Sequence, residues 1–158
     1  MTIQIRAATT PSADTSSPYT VAKPSGTLEG DLLLASVVTV SSSIDQVLPP
    51  AGWYAVRGAG INGDDNISGW YKVAGASEPA TYDFTSNSNS IVGIGILALY
   101  SDAGAGVKID AVATQVNASG DRVYPSVTFS AAGLLVCMGA VGAGSTGSST
   151  PPGGMGEH

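Results

Sequence analysis

Few side chains in this 158-residue chain have the chemistry of a catalytic or metal-binding group. His158, the only histidine, is the last residue, and Cys137, the only cysteine, lies inside an apolar run. A Ser-His-Asp site needs a histidine that a carboxylate holds in place, and a zinc site needs several Cys or His ligands. The sequence therefore predicts neither kind of site, and Cys137 is expected to be a small buried apolar side chain.

The 12 Asp and Glu residues could still include a glycosidase pair. Such a pair needs one carboxyl group in an apolar pocket that raises its pKa, beside a second that stays ionised. Asp31 and Asp83 are the best candidates, because both sit next to apolar strand residues. The alternative is that Asp31 ends a turn after Gly30 and that Asp83 faces solvent, opposite Tyr82 in its strand. We favour this alternative and predict a protein without enzymatic activity.

The segment 62–66 (NGDDN) gathers oxygen ligands of the kind that calcium prefers. It lacks the spacing of a complete calcium loop, and the same residue types are those of an ordinary turn. We therefore expect no metal ion and no cofactor. Asn62, Asp64 and Asp65 remain candidates for contact with a sugar or a protein partner.

Aromatic side chains are the other candidates for binding. Trp53 follows a Pro-Pro loop, and Trp70 and Tyr71 lie in the middle of a predicted strand. Exposed on one surface, they would form a stacking platform for a sugar together with the 62–66 loop. The alternative is that they fill the core, which is the more common place for tryptophan in a β-protein.

The composition limits the classes of partner. Hydrophobic residues make up 43% of the chain and charged residues 11%, with a formal net charge of −6. Only six Lys and Arg are present, whereas nucleic-acid and anionic-membrane surfaces are bound by clustered cations. The longest apolar run is about half of what a membrane-spanning helix needs, and no signal peptide is recognisable. We expect a soluble protein whose partners are other proteins or neutral sugars.

Short apolar and alternating segments, separated by Gly, Pro, Ser and Asn, predict the elements that position these residues. Ile3 and Ile5 alternate with polar residues, and 9–18 reads as a loop. Further predicted strands are 19–21, 31–40, 53–57, 67–74, 80–84, 91–100, 107–111, 113–117, 124–129 and 134–141. This pattern predicts an all-β chain without substantial helix, an antiparallel β-sandwich or jelly roll. We expect one domain over 1–141 and a Gly/Ser/Pro-rich tail over 142–158.

Part of the sequence occurs twice. Residues 32–34 (LLL) precede a Pro-Pro pair at 49–50, and residues 134–136 (LLV) precede another at 151–152, with the same offset of 17 positions. The repeat predicts one strand-and-loop unit used in two places. The strands that follow the first unit have no counterpart after the second. We therefore expect that a neighbouring chain completes the fold, through an open sheet edge.

Four segments taken together resemble a family of bacteriophage and prophage β-sandwich proteins that decorate capsids or belong to tails and fibres. They are 28–35 (LEGDLLLA), 49–53 (PPAGW), 70–79 (WYKVAGASEP) and 81–84 (TYDF). The resemblance covers about residue 21 to the C-terminus. It implies that 28–35 enters a core strand and that 49–53 is the loop before the next strand. It transfers no catalytic residue.

The resemblance implies a structural virion protein, first of all a capsid decoration (cement) protein. Such a protein would bind the major capsid protein on the exterior of the phage head after synthesis in the host cytoplasm. A homo-oligomer, with a trimer favoured, would suit the three-fold positions of a capsid. The alternative is a carbohydrate- or receptor-binding module of a tail fibre, bound to other tail proteins.

Overall fold

The computed structural model describes residues 2–10, 12–40, 47–59, 65–87, 91–113, 128 and 133–138. Across these residues the chain forms β-strands and no helix, as the sequence predicts. The strands are β1 (Ile3–Ala8), β2 (Ser12–Asp14), β3 (Tyr19–Ala22), β4 (Leu32–Val40), β5 (Tyr54–Ala59), β6 (Asp65–Val73), β7 (Thr81–Phe84) and β8 (Ile91–Ser101).

The strands form two antiparallel sheets. The large sheet has the order β1-β8-β4-β6-β5, and β2 also pairs with β8. The small sheet consists of β3 and β7. Strand β4 pairs along its whole length with both β6 and β8, so it is the centre of the large sheet. A central strand is covered on both faces, which explains why the sequence of β4 is almost entirely apolar.

One face of the large sheet, here called the inner face, packs against the small sheet. Alternate residues of β4 and β8 point to this face because side chains alternate along a strand. They share one core cluster with residues of the small sheet. The cluster includes Leu33, Ala35, Val37, Val92, Ile94, Ile96 and Ala98 from the large sheet, and Tyr19, Val21, Tyr82 and Phe84 from the small sheet. The buried core of the protein therefore lies between the two sheets.

The opposite, outer face of the large sheet carries a second and smaller cluster. Leu32 and Leu99 are buried there with Val107, and Ile109 and Val136 pack against them. These last three residues come from segments 102–113 and 133–138, which contain no strand. The strands predicted over 107–111 and over the described part of 134–141 are therefore wrong. Both segments contact the sheet through side chains without joining a backbone ladder.

The second copy of the repeat does not reproduce the first in the residues that can be compared. The first copy begins β4, whereas 134–136 lie outside any strand. The Pro-Pro pair of the second copy, at 151–152, lies outside the described residues. So does the whole predicted tail 142–158, which includes His158. The predicted strands 113–117 and 124–129 also lie outside them, apart from Ala113 and Thr128, which are not in strands.

The N-terminal segment follows β8 over most of its length. Strand β1 pairs with residues 97–101 of β8, and β2 pairs with residues 92–94. Thr9 bridges the gap, since its amide donates to the carbonyl of Ile96 at 2.8 Å and its hydroxyl accepts from the Ile96 amide at 2.8 Å. The loop predicted over 9–18 is therefore wrong in part. The sequence of β2 (Ser-Ala-Asp) has little intrinsic preference for a strand. It forms one because its backbone pairs with the long neighbouring strand β8.

Strands β5 and β6, which follow one another in the chain, pair antiparallel. Asp65 and Asn66 are not loop residues but the start of β6, where they pair with Val40 and Thr39 of β4. The long partner strand extends β6 beyond its apolar residues, because each added pair satisfies backbone donors and acceptors. In the part of the chain described here, no helix has the length and apolarity needed to cross a membrane.

Candidate functional site

Trp53, the first residue proposed for a sugar platform, belongs to the core. Its side chain is 7% exposed and meets the ring of Tyr82 edge-on, with the ring centroids 5.2 Å apart. The ring of Phe84 lies 5.8 Å away on the small sheet. Among the described residues, the indole Nε1 of Trp53 has no hydrogen-bond partner. Trp53 thus joins the Pro-Pro loop to the core and offers no face to a ligand.

Trp70 and Tyr71 lie on opposite faces of β6. Trp70 pairs with Ala35 and packs half-buried against the core cluster, and its Nε1 donates to the Ser68 hydroxyl at 3.1 Å. Tyr71 is on the outer face, where its ring lies 5.7 Å from that of Tyr54. The structure therefore does not bring Trp53, Trp70 and Tyr71 onto one surface.

Only residues 65 and 66 of the 62–66 loop proposed for this platform are among the described residues. Asn62 and Asp64 lie outside the described residues, and Asp65 is the first residue of β6. No group of three or more His, Cys, Asp or Glu side chains in the described ranges is arranged to hold a metal ion. Cys137 is half-buried rather than fully buried, and its burial raises the pKa of the thiol.

Asp31, one of the two candidate catalytic carboxylates, forms a buried ion pair. The carboxylate is 2% exposed and accepts from Arg6, with Nε 2.6 Å from Oδ2 and Nη2 3.0 Å from Oδ1. The Leu28 amide also donates to Oδ2, at 2.8 Å, so Asp31 closes the turn after Gly30 as expected. This hydrogen bonding with Asp31 raises the pKa of Arg6. A carboxylate enclosed by these donors suits a structural role.

Asp83, the other candidate, lies on the exposed face of the small sheet. Its neighbours Tyr82 and Phe84 are buried, so the predicted alternation is confirmed. Its Oδ1 accepts from the Thr20 hydroxyl at 2.7 Å, across the pair that Thr20 and Asp83 form between β3 and β7. Asp31 and Asp83 therefore belong to different parts of the fold and have different partners.

A polar cluster that the sequence analysis missed surrounds Glu78, in the connection between β6 and β7. Glu78 Oε2 lies 2.9 Å from Lys72 Nζ and accepts from the Tyr82 hydroxyl at 2.7 Å. Oε1 accepts from the Gly75 amide at 2.7 Å. The sequence analysis used residues 70–79 (WYKVAGASEP) only for the family resemblance, and it predicted a strand over 67–74 without recognising a polar cluster. We call Lys72, Gly75, Glu78 and Tyr82 the Glu78 cluster.

The electrostatics of this cluster favour a charged glutamate. Burial alone would raise the pKa of Glu78, but hydrogen bonds from Gly75, Lys72 and Tyr82 outweigh it and lower the pKa. Burial of the phenol, followed by its hydrogen bond to Glu78, raises the pKa of Tyr82. Glu78 therefore stays ionised and Tyr82 stays protonated over a wide pH range.

The outer face carries exposed apolar side chains on two neighbouring strands. Tyr54 in β5 is 63% exposed, and Val73 in β6 is 55% exposed. Beside Tyr71 and Val73 a groove of about 400 Å³ runs between the sheet and the segment that holds Val107 and Ile109. We call Tyr54, Tyr71 and Val73 the outer-face patch. Its chemistry, two tyrosines beside an aliphatic side chain, suits contact with an apolar or sugar surface.

Comparison with known proteins adds no relative to these observations. No family model matches the chain, and no match was found among curated proteins or among solved structures.

Proposed function

We propose that this chain is a non-enzymatic structural protein of a bacteriophage virion, and specifically a decoration protein on the capsid exterior. The proposal rests on the resemblance of residues 28–35, 49–53, 70–79 and 81–84 to phage β-sandwich proteins. The two antiparallel sheets, which share one core, support a sandwich architecture of the jelly-roll type.

The observation that carries the proposal is the exposed apolar area on the outer face. Val73 and Tyr54 project from neighbouring strands with more than half of their surface in solvent. Exposed apolar groups that lie side by side mark surfaces that bind another protein. The major capsid protein is the partner that the resemblance implies, and weak contacts repeated over a symmetric shell add up through multivalency.

The proposed assembly is a homo-oligomer, with a trimer at capsid three-fold positions as the favoured form. Such a trimer would present three outer-face patches to the shell at once. Sedimentation equilibrium of the purified chain measures its mass directly. A trimer is the expected result, and a monomer at high protein concentration would contradict this part of the proposal.

The location on the virion is tested with purified particles. Heads and tails are separated, and the protein is located with an antibody against this chain. Recovery with heads, and release when accessory proteins are stripped, is the expected result. Recovery with tails alone would overturn the decoration role. Rebinding of Val73→Thr and Tyr54→Ser variants to stripped heads then tests the outer-face patch, with Thr20→Ser on the small sheet as the control.

A second candidate function is a carbohydrate- or receptor-binding module of a tail fibre. The observation that favours it is the Tyr54–Tyr71 pair, whose rings are 5.7 Å apart and inclined by 36°. Neighbouring exposed tyrosine rings can stack on the apolar face of a sugar. In this version Trp53 takes no part, because it is buried.

Titration with host surface polysaccharide separates the two candidates. Binding that is lost in Tyr54→Ala and kept in the small-sheet variant Thr20→Ser would favour the tail-fibre role. Absence of binding on a broad glycan array, together with binding to stripped heads, would favour the capsid role.

A further inference from the structure

The Glu78 cluster joins three consecutive parts of the chain, the end of β6, the connection that follows it and β7. Glu78 itself is in the connection 74–80, Lys72 is at the end of β6 and Tyr82 is in β7. The glutamate side chain is 6% exposed, and both of its oxygens are occupied by donors. A buried carboxylate with this many donors fixes the relative position of the groups that it contacts.

The cluster also contacts the loop 49–52 and the residue that follows it. The ring of Tyr82, whose hydroxyl donates to Glu78, meets the Trp53 ring edge-on at 5.2 Å. Gly52 lies over the Lys72 side chain, since a Cβ atom at Gly52 would be 3.8 Å from Lys72 Nζ. Lys72 therefore lies against the loop, and the Tyr82 ring lies against Trp53, the residue that follows it. Glu78 binds the ammonium group of Lys72 and the hydroxyl of Tyr82, so it positions both contacts.

We propose that the Glu78 cluster is an acid-sensitive latch, which holds the loop 49–52 and the Trp53 side chain in place and releases them when Glu78 takes up a proton. Protonation removes the charge that binds Lys72, and it leaves the ammonium group with the Tyr82 ring, 5.7 Å from Nζ, beside an enclosed carboxylic acid. The loss of charge weakens the hold of Glu78 on Lys72, which lies against Gly52, and on the Tyr82 hydroxyl, whose ring lies against Trp53.

Within the described ranges, the charged and titratable groups that face Glu78 are Lys72 from β6 and Tyr82 from β7. Residues 49–53 (PPAGW) contribute no titratable side chain, and neither do the other residues of the connection 74–80. Because the pKa of Glu78 is lowered in the folded protein, the stabilisation is complete above the ordinary glutamate value. It is lost as the pH falls through the lower, folded value.

Acrylamide quenching of Trp53 tests the latch. The chain has two tryptophans, so the Trp70→Phe variant of the full chain leaves Trp53 as its single tryptophan. Quenching should increase as the pH is lowered from about 7 to about 3, while the far-UV circular dichroism of the sheets is unchanged. The indole N–H resonance of Trp53 in the wild-type chain serves as a second readout.

Two variants connect the response to the cluster. Glu78→Gln should give strong quenching that no longer depends on pH, because glutamine is neutral throughout. Lys72→Gln should move the midpoint upward by about one pH unit, since an adjacent cation lowers a carboxyl pKa by at least that amount. Glu29→Gln, at an exposed carboxylate outside the cluster, should keep the parent profile.

Three results would overturn the latch. The first is a Glu78→Gln variant that keeps the parent pH profile. The second is an unshifted midpoint in Lys72→Gln. The third is simultaneous loss of the dichroism signal and of Trp53 protection, because that would be global unfolding rather than local release.

Discussion

The guanidinium group of Arg6 reaches across a whole strand to the carboxylate of Asp31. Arg6 lies in β1 and Asp31 just before β4, and β8 runs between these two strands. On its way the guanidinium group passes 4.3 Å above the centre of the Tyr100 ring in β8. One ion pair and one cation–π contact therefore tie three strands together at one end of the large sheet.

We expect Asp31→Asn to lower the free energy of unfolding by about 2 kcal/mol, because a buried charge-assisted pair is lost. Asparagine keeps the size of the side chain and can still accept from the Leu28 amide. Urea denaturation followed by circular dichroism measures the change. Asp83→Asn is the matched control, since it alters an exposed carboxylate and should cost less than about 0.5 kcal/mol. Equal losses in the two variants would contradict the structural role of Asp31.

Trp53 and Tyr54 are neighbours in sequence with opposite surroundings. Trp53→Ala should destabilise the fold by about 3 to 5 kcal/mol, because a buried ring leaves a cavity between the sheets. Tyr54→Ala should cost less than about 1 kcal/mol, because most of that side chain is in solvent. Thermal or chemical unfolding compares the two variants. A small effect of Trp53→Ala would mean that the ring does not fill the core.

Gly52, at the end of the Pro-Pro loop, has a φ of 90°, a backbone conformation that side chains rarely adopt. Gly52→Ala should therefore destabilise the protein by about 1 to 2 kcal/mol through backbone strain. Gly93→Ala is the control, because Gly93 is in β8 and a Cβ atom there would meet nothing within 4 Å. We expect the control to be neutral or slightly stabilising in the same denaturation experiment.

Tyr82 should resist ionisation in the folded protein. Its pKa is raised, so the native state binds the phenolic proton more tightly than the unfolded state does. The free energy of unfolding should consequently fall as the pH rises above about 10, where free tyrosine ionises. Ultraviolet titration should show late ionisation of Tyr82, and this step should be absent from Tyr82→Phe. Tyr100→Phe should leave this late step in place.

The sequence predicted well those strands whose side chains meet the core. The run at 91–100 and the alternation of Tyr82, Asp83 and Phe84 both gave the correct element, because each pattern reflects which residues are buried. The turn closed by Asp31 was also predicted. The alternation of apolar and polar residues predicts such strands, because every second side chain of a strand points to the buried face.

Other features depend on contacts that no local pattern contains. The Arg6–Asp31 pair joins residues 25 positions apart in the sequence. Val107 and Ile109 alternate like strand residues, yet they only cover the outer face. The Glu78 cluster needs the β6–β7 connection to fold back over Lys72. The sequence also did not determine which of the two tryptophans is enclosed. Trp53 begins a predicted strand and Trp70 lies in the middle of one, and only the position of the small sheet distinguishes their surroundings.

Strand β8 has a consequence for the order in which the protein can fold. It is the last strand in the chain among those described, yet β1, β2 and β4 all pair with it. Thr2 and Asp102, which bond at the end of this ladder, are 100 residues apart. A nascent chain that stops before residue 91 therefore has no partner for its N-terminal strands. Long-range closure of this kind slows folding, and the large sheet can be completed only after synthesis has passed β8.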